Sequence, residues 1–268
     1  MNADSYFAIG KSHTVCQDYA RAGNCFAIVS DGCSSSPDSD FGARALTMAA
    51  IEVLESFGDQ FPNQGDRMMR QAVLYVPHSL PVECLDATLL AAYPQEDGRI
   101  QVIVCGDGIV FGIKHDGDIV SYEIDMGGMP NYLSYLLDQE RSRRYAASGP
   151  DKFTVQKRVV GADDTVKSDQ TDEWHFRSGC PDVACRFNPA EYKFVGVATD
   201  GLLSFQHRET LAPIPLGEVL KHVTDIRVPT GAFVQRSSKF FLQKTCPKLG
   251  WQHSDDYGVA MIYTGESK

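Results

Sequence analysis

Phe26-Ala27-Ile28-Val29-Ser30-Asp31-Gly32 is a short apolar run that ends in a carboxylate at a turn. The pattern recurs down the chain. Residues 102–105 run into Gly106-Asp107-Gly108, 194–199 run into Asp200-Gly201, and Asp255-Asp256 stands just ahead of 259–263. Asp18 lies in a polar loop before the first of these runs. Apolar runs of this length bounded by Asp and Gly read as buried strands that stop at turns. If those strands share a sheet, their terminal carboxylates converge on one rim. Clustered carboxylates repel, and they stay ionised together only with a cation between them. With no His or Cys cluster alongside, an all-oxygen set points to Mg²⁺ or Mn²⁺ rather than Zn²⁺. Asp-Gly is also a good turn former in its own right. One such pair reads as a turn; a series on successive strand ends reads as a site.

The 268 residues are 43% apolar and 22% charged, the composition of a folded protein with a substantial core. No stretch approaches the ~20 apolar residues of a membrane span. Met1-Asn2-Ala3-Asp4-Ser5 lacks the basic and apolar segments of a signal peptide, so a cytoplasmic location is expected. With 25 Lys and Arg against 35 Asp and Glu, the net charge is −10. That balance argues against general nucleic-acid binding, because phosphate backbones need cations. The 8 cysteines form no C-x-x-C pair and read as reduced, although Cys180 and Cys185 flank Pro181-Asp182 and can meet across a turn.

Residues 5–9 and 25–30 read as paired strands around the loop that carries Asp18. Phe41, Ala45, Met48, Ala49, Ile51, Val53 and Leu54 recur at helical spacing and predict an amphipathic helix over 39–57. Residues 68–76 read as a second helix, stopped by Pro77. Runs at 86–92, 100–105, 109–114 and 118–124 are separated by Asp97-Gly98, Asp107-Gly108 and Asp116-Gly117, which predicts an antiparallel meander. Residues 126–190 read as a loop-rich excursion with a short helix over 131–138. It is an insertion and not a second domain, because the strand pattern resumes at 192–199. Helices over 219–223 and 231–245 and a strand over 257–263 complete a layered α+β arrangement.

In this order, the elements resemble the PPM-type metal-dependent protein phosphatases, the protein phosphatase 2C family, in a bacterial-type branch. The resemblance rests on Gly10-Lys11-Ser12-His13-Thr14-Val15-Cys16-Gln17-Asp18, and on Ile28-Val29-Ser30-Asp31-Gly32-Cys33-Ser34-Ser35-Ser36 followed by Phe41-Gly42-Ala43-Arg44. It continues through Gly106-Asp107-Gly108, Thr199-Asp200-Gly201 and Asp255-Asp256-Tyr257-Gly258. It implies a single domain built as a four-layer α-β-β-α sandwich, two antiparallel sheets flanked by helices, with a flap-like insertion at about 126–190. It also implies two bound metals, Mn²⁺ or Mg²⁺. In that scheme Asp31 bridges both, the Gly32 carbonyl binds one, Asp200 and Asp255 complete the second, and Asp18 holds metal-bound water. Asp107 supports a third, weaker metal. The implied activity is hydrolysis of phosphoserine and phosphothreonine in proteins by hydroxide held between the metals, without a protein nucleophile. The implied protein is a monomer that works in signalling and binds neither nucleic acid nor membrane.

The chain departs from the family pattern at several positions. The arginine that grips the phosphate is His13 here, the carboxylate before Asp18 is Gln17, Gly108-Ile109 replaces a Ser-Arg pair, and Gly258 replaces a threonine. An imidazolium offers fewer donors than a guanidinium and is charged only below its pKa of ~6.5. These departures keep a second reading open, a regulatory or binding module with weak or no catalysis. The retained Asp31, Asp200 and Asp255 favour the enzyme. Lys11 and Arg44 are candidate replacements for the phosphate cation, or simply solvated charges. Cys33 reads as a small loop residue with nothing nearby in sequence to lower its pKa. Arg141, Arg143 and Arg144 read as solubilising charges in a mobile excursion. His207 and His222 show no ligand spacing, and His253 is close enough in sequence to Asp255 to touch the site.

Overall fold

The computed structural model describes residues 1–149, 152–175 and 182–265. The chain opens with strands β1 (Asn2–Ala8), β2 (Asp18–Ala22) and β3 (Ala27–Asp31), then helices α1 (Ser39–Phe57) and α2 (Gly65–Tyr75). Strands β4 (Leu89–Pro94), β5 (Ile100–Cys105), β6 (Gly108–Lys114) and β7 (Ile119–Asp125) follow, then α3 (Gln139–Ser148). Next come β8 (Phe153–Val160), β9 (Val166–Trp174), β10 (Asp182–Phe187), β11 (Tyr192–Ala198) and β12 (Phe205–His207). Helices α4 (Leu216–Val223), α5 (Phe233–Phe240) and α6 (Cys246–Leu249) lead to β13 (Trp251–His253) and β14 (Tyr257–Tyr263).

Two antiparallel sheets pack face to face, in the orders β1-β14-β11-β6-β7-β8-β9 and β10-β5-β4-β3-β2. Val29, Leu90, Val102, Val110, Val195 and Ile262 are wholly buried between them. Alternate residues on the same strands face outward. Ile28 and Ile103 pack under α1 and α2 with Leu46, Met68 and Met69, while Phe111, Phe194 and Met261 pack under α4 and α5 with Val219 and Phe233. Each fully buried side chain of this size contributes roughly 1.5–3 kcal/mol. The result is the expected helix–sheet–sheet–helix sandwich.

Three parts of the arrangement differ from expectation. The first strand pairs with β14 (Ser5 opposite Ala260), and β3 takes β2 as its hairpin partner, so Asp18 opens a strand and does not sit in a loop. Asp18 and Ala20 are buried while Arg21 is exposed, and the charges obscure that alternation in the sequence. The meander is also divided. Strands β4 and β5 belong to one sheet and β6 and β7 to the other. The chain crosses between sheets at Gly106-Asp107-Gly108, where glycine φ angles of 89° and 142° allow the sharp change of direction. Finally, residues 126–190 contribute strands to both sheets: β8 pairs with β7, and β10 with β5. Strand β9 is exposed on both faces along most of its length, so it carries no apolar period to read. Cys180 lies outside the described residues, where Cys185 is free. Among the described residues, no helix is long and apolar enough to cross a membrane.

Candidate metal centre

Asp18 is the first residue of β2 and Asp31 the last of β3, and the ladder sets them directly opposite each other. Asp200 follows β11 and Asp255 precedes β14, its neighbour in the other sheet. Strand ends from both sheets therefore deliver carboxylates to one edge of the sandwich. The Asp31 carboxyl meets those of both Asp18 and Asp200. Asp18 is only 2% exposed, and Thr199 Oγ1 donates to its Oδ2 at 2.6 Å. Gly258 leaves room for that bond, because a β-carbon there would fall 3.2 Å from Thr199 Oγ1 and 3.3 Å from Asp18 Oδ2.

The electrostatics follow from this crowding. Burial pushes the Asp18 carboxyl up to about 8, and burial followed by the Asp18 and Asp200 charges holds Asp31 well above the usual range. Asp200 is raised by burial and by Asp255, and Asp107 is pushed up to about 6 by burial and by Asp200. Carboxylates whose charges are this costly in one another's company are neutralised by protons or by cations. The donors are all oxygen, which fits Mg²⁺ or Mn²⁺. The side chains meet in pairs: among the described residues, no three His, Cys, Asp or Glu are already gathered at ligand spacing.

The Asp-Gly pairs divide into two kinds. Gly98 and Gly117 have φ of 80° and 94°, so these are turns in the ordinary sense. Gly32 and Gly201 have no positive φ and are packed instead. A β-carbon at Gly32 would lie 2.6 Å from the Ser39 carbonyl oxygen, and one at Gly201 would collide with the Asp256 carbonyl. The glycines beside Asp31 and Asp200 serve close approach of backbones, not reversal of the chain.

Sequence reasoning missed Asp256. It is 2% exposed and accepts from Gly10 N at 2.7 Å and Gln17 N at 2.6 Å, fastening the 10–17 loop beside β14. His13 lies in the same loop, with Nδ1 2.9 Å from Asp256 Oδ2 and Nε2 3.4 Å from Asp255 Oδ1. Contact with the Asp256 carboxylate raises the His13 pKa, and burial opposes the rise. The Asp256 approach is an ion-pair contact without hydrogen-bond alignment, which leaves Nδ1 with no aligned acceptor. Gln17, at the position of the family carboxylate, donates through Nε2 to Ser39 Oγ at 2.9 Å. His253 Nδ1 contacts the Asp255 carbonyl at 2.9 Å. The doubled Asp255-Asp256 was the available signal, since only one of the pair was needed as a ligand.

A family model for protein phosphatase 2C matches residues 9–229. The chain belongs to the protein phosphatase 2C family. Its fold is that of the PPM Ser-Thr phosphatase MsPP from Mycobacterium smegmatis, solved with cacodylate, at 14% identity and a TM-score of 0.53, covering 99% of each chain. The serine/threonine phosphatase PstP/Ppp of Mycobacterium tuberculosis is similar at 14% identity and a TM-score of 0.51, covering 97% of each chain. The catalytic domain of PstP with 2 manganese ions gives 14% and 0.52, covering 97% of this chain and 96% of that one. No curated protein sequence matches.

Around the carboxylates, this protein phosphatase 2C member differs from its sequence reading at two further points. Arg141 is not a solvated charge. Its Nη2 donates to both oxygens of Asp86 at 2.8 and 2.7 Å, and its guanidinium lies 4.9 Å from the Tyr135 ring centre. Asp86 also accepts from Ser36 Oγ and Ser134 Oγ, and its carbonyl accepts from Cys33 N, so α3 is tied to the loop after Gly32. Arg143 and Arg144 do lie on the surface. Cys33 has neighbours that matter: burial acts to raise its pKa, but hydrogen bonds with Ser35, Tyr132 and Ser36 outweigh burial and lower it. Of the two alternative phosphate cations, Lys11 Nζ donates to Gln252 Oε1 at 2.8 Å, and Arg44 lies over the Tyr19 ring.

Proposed function

We propose that this protein phosphatase 2C family member is a metal-dependent hydrolase of phosphoserine and phosphothreonine in proteins. The observation that carries the reading is the mutually repelling set Asp18–Asp31–Asp200 where the strand ends meet, with Asp18 buried at its base. Asp31, the Gly32 carbonyl, Asp200 and Asp255 are the groups that would hold Mn²⁺ or Mg²⁺, with Asp18 and Asp107 beside them. Once bound, the cations supply positive charge that acidifies water and neutralises the phosphoryl oxygens. Asp18, steadied by the Thr199 Oγ1 hydrogen bond to its Oδ2, is the group that would hold the attacking water and take its proton. His13 sets its ring between Asp255 and Asp256 and presents a cation to the rim, a role its raised pKa extends to higher pH. The protein acts as one domain and as a cytoplasmic monomer in signalling, with the loop and α3 that follow β7 serving as the flap.

The test is hydrolysis of p-nitrophenyl phosphate with and without Mn²⁺. Turnover should appear with the metal, vanish in EDTA and return when Mn²⁺ is restored. No turnover with any divalent cation would contradict the reading and leave a binding module.

A further inference from the structure

Two pockets flank the loop that carries His13. One, lined by Ser12, His13, Thr14 and Gln17, opens toward the N-terminus of α1. The other is a concavity of about 240 Å³ lined by Ile9, Lys11, Arg208, Leu242, Gln252 and His253. Among the described residues, no carboxylate lines it. Among the described residues, its two cations meet neutral oxygens: Lys11 Nζ donates to Gln252 Oε1 at 2.8 Å and Arg208 Nε to the Trp251 carbonyl at 2.9 Å. Both side chains are exposed.

The segment that contributes Leu242 and Cys246 to this pocket is basic in sequence. Between Asp225 and Asp255 the sequence contains no Asp or Glu, yet it carries Arg227, Arg236, Lys239, Lys244 and Lys248, all exposed. Leu242 and Cys246, which line the pocket, belong to the continuous turn-and-helix segment that carries Lys244 and Lys248. In a chain of net charge −10, this stretch of sequence is a local excess of positive charge.

We infer that the Lys11–Arg208 pocket is a subsite for a second negative group on the phosphoprotein, either an acidic side chain or a second phosphate, flanking the phosphoester to be cleaved. The inference rests on the phosphatase reading above and names its substrate class. The spacing is set by the loop. Lys11 and His13 are two residues apart, so their Cα atoms are at most ~7 Å apart. An extended peptide advances ~3.3 Å per residue, so positions about two to four residues from the phosphorylated one are those to test. The sites share the backbone that fixes them: Lys11 N donates to the His253 carbonyl at 3.4 Å, and Ser12 N to the Ser254 carbonyl at 2.9 Å.

The experiment compares kcat/KM for phosphothreonine peptides carrying Glu, phosphoserine, Ala or Lys three residues to either side of the phosphothreonine. Wild type, the Lys11→Gln/Arg208→Gln double variant and Lys11→Arg are measured with saturating Mn²⁺. Wild type should favour the Glu and phosphoserine peptides over the Ala peptide by roughly five- to tenfold, as expected for two partly solvated charge pairs. The double variant should lose most of that ratio and Lys11→Arg should keep it. A larger preference for phosphoserine than for Glu identifies the second anion as a phosphate; equal preferences identify a general acidic subsite. An acidic-to-neutral ratio that is the same in wild type and double variant overturns the inference. So does loss of binding to phosphatidylserine vesicles in the double variant without any change in the peptide ratio, which would make the surface a membrane contact. If no peptide is hydrolysed, the phosphatase reading fails on its own, and fluorescence anisotropy of the same labelled peptides with Mn²⁺ still reads the pocket through the same ratio.

Discussion

Asp18 and Asp31 face each other across the β2–β3 ladder as the first residue of one strand and the last of the next. Their approach is fixed by strand register, and a slip of one residue would send one carboxylate to the opposite face. Thr199 Oγ1 then holds Asp18 from the second sheet. The backbone thus brings together two acids that would separate if free.

A pH dependence follows, with a definite sign. Asp18 is raised from 3.8 to about 8 in the metal-free fold, and Asp31 is raised as well. The folded state therefore binds these protons more tightly than the unfolded chain. Their contribution is complete at pH below the unfolded value and is lost as pH rises through the folded one. In EDTA, Tm should fall between pH 5 and 8 more steeply for wild type than for Asp18→Asn. Saturating Mn²⁺ should reduce the difference, because metal binding displaces the protons. Parallel Tm profiles for the two proteins in EDTA would contradict this electrostatic picture.

The two kinds of Asp-Gly pair predict different outcomes for the same substitution. Gly201→Ala drives a methyl group into the Asp256 carbonyl, which must separate the Asp200 turn from the Asp255-Asp256 segment. Gly98→Ala meets no neighbouring atoms and costs only its strained φ, about 1 kcal/mol. The Mn²⁺ concentration for half-maximal activity should rise at least about tenfold in the first variant and stay within about twofold in the second. Calorimetric titration with Mn²⁺ provides the independent check.

Arg141 and Asp86 form a largely buried ion pair, with side-chain exposures of 18% and 7%. Removing Arg141 leaves the Asp86 charge with only the Ser36 and Ser134 hydroxyls, so Arg141→Met should destabilise the protein by about 3 kcal/mol in urea unfolding. Asp86 also holds the loop after Gly32 through Ser36 and Cys33, so metal affinity should weaken in parallel. A loss below about 1 kcal/mol would mean that the pair is effectively solvated.

His13 has two candidate roles that kinetics can separate. If its imidazolium grips the phosphate, KM for a phosphopeptide should rise as pH climbs through its raised pKa, and His13→Arg should lower KM most at alkaline pH. The comparison is KM from pH 6 to 9 for both forms with metal saturating. If the substitution leaves KM unchanged throughout, His13 serves only to brace Asp255 and Asp256.

The layers and the carboxylates were legible in the sequence because both rest on short-range signals. Val29 and Ile28 alternate between the two faces of β3, and Asp31, Asp107 and Asp200 each mark the end of an apolar run. Pairing across long separations was not legible. Nothing near Ser5 announces Ala260 as its partner, and the crossing at Gly106–Gly108 has the same sequence signature as a hairpin. Exposed β9 lacks apolar alternation and was missed as a strand. Asp256 and Arg141 were misjudged for a related reason. Their importance lies in partners at Gly10, Gln17 and Asp86, which only the fold brings within reach.

Whether Asp31 anchors a metal-dependent phosphoester hydrolysis is decided by a Mn²⁺ titration of phosphothreonine-peptide turnover by wild type and Asp31→Asn. Wild type should be inactive in EDTA and saturate with Mn²⁺. Asp31→Asn should retain the fold by circular dichroism and lose at least about a thousandfold in kcat/KM, roughly 4 kcal/mol of transition-state stabilisation. Equal Mn²⁺-dependent turnover by the two proteins would contradict the account.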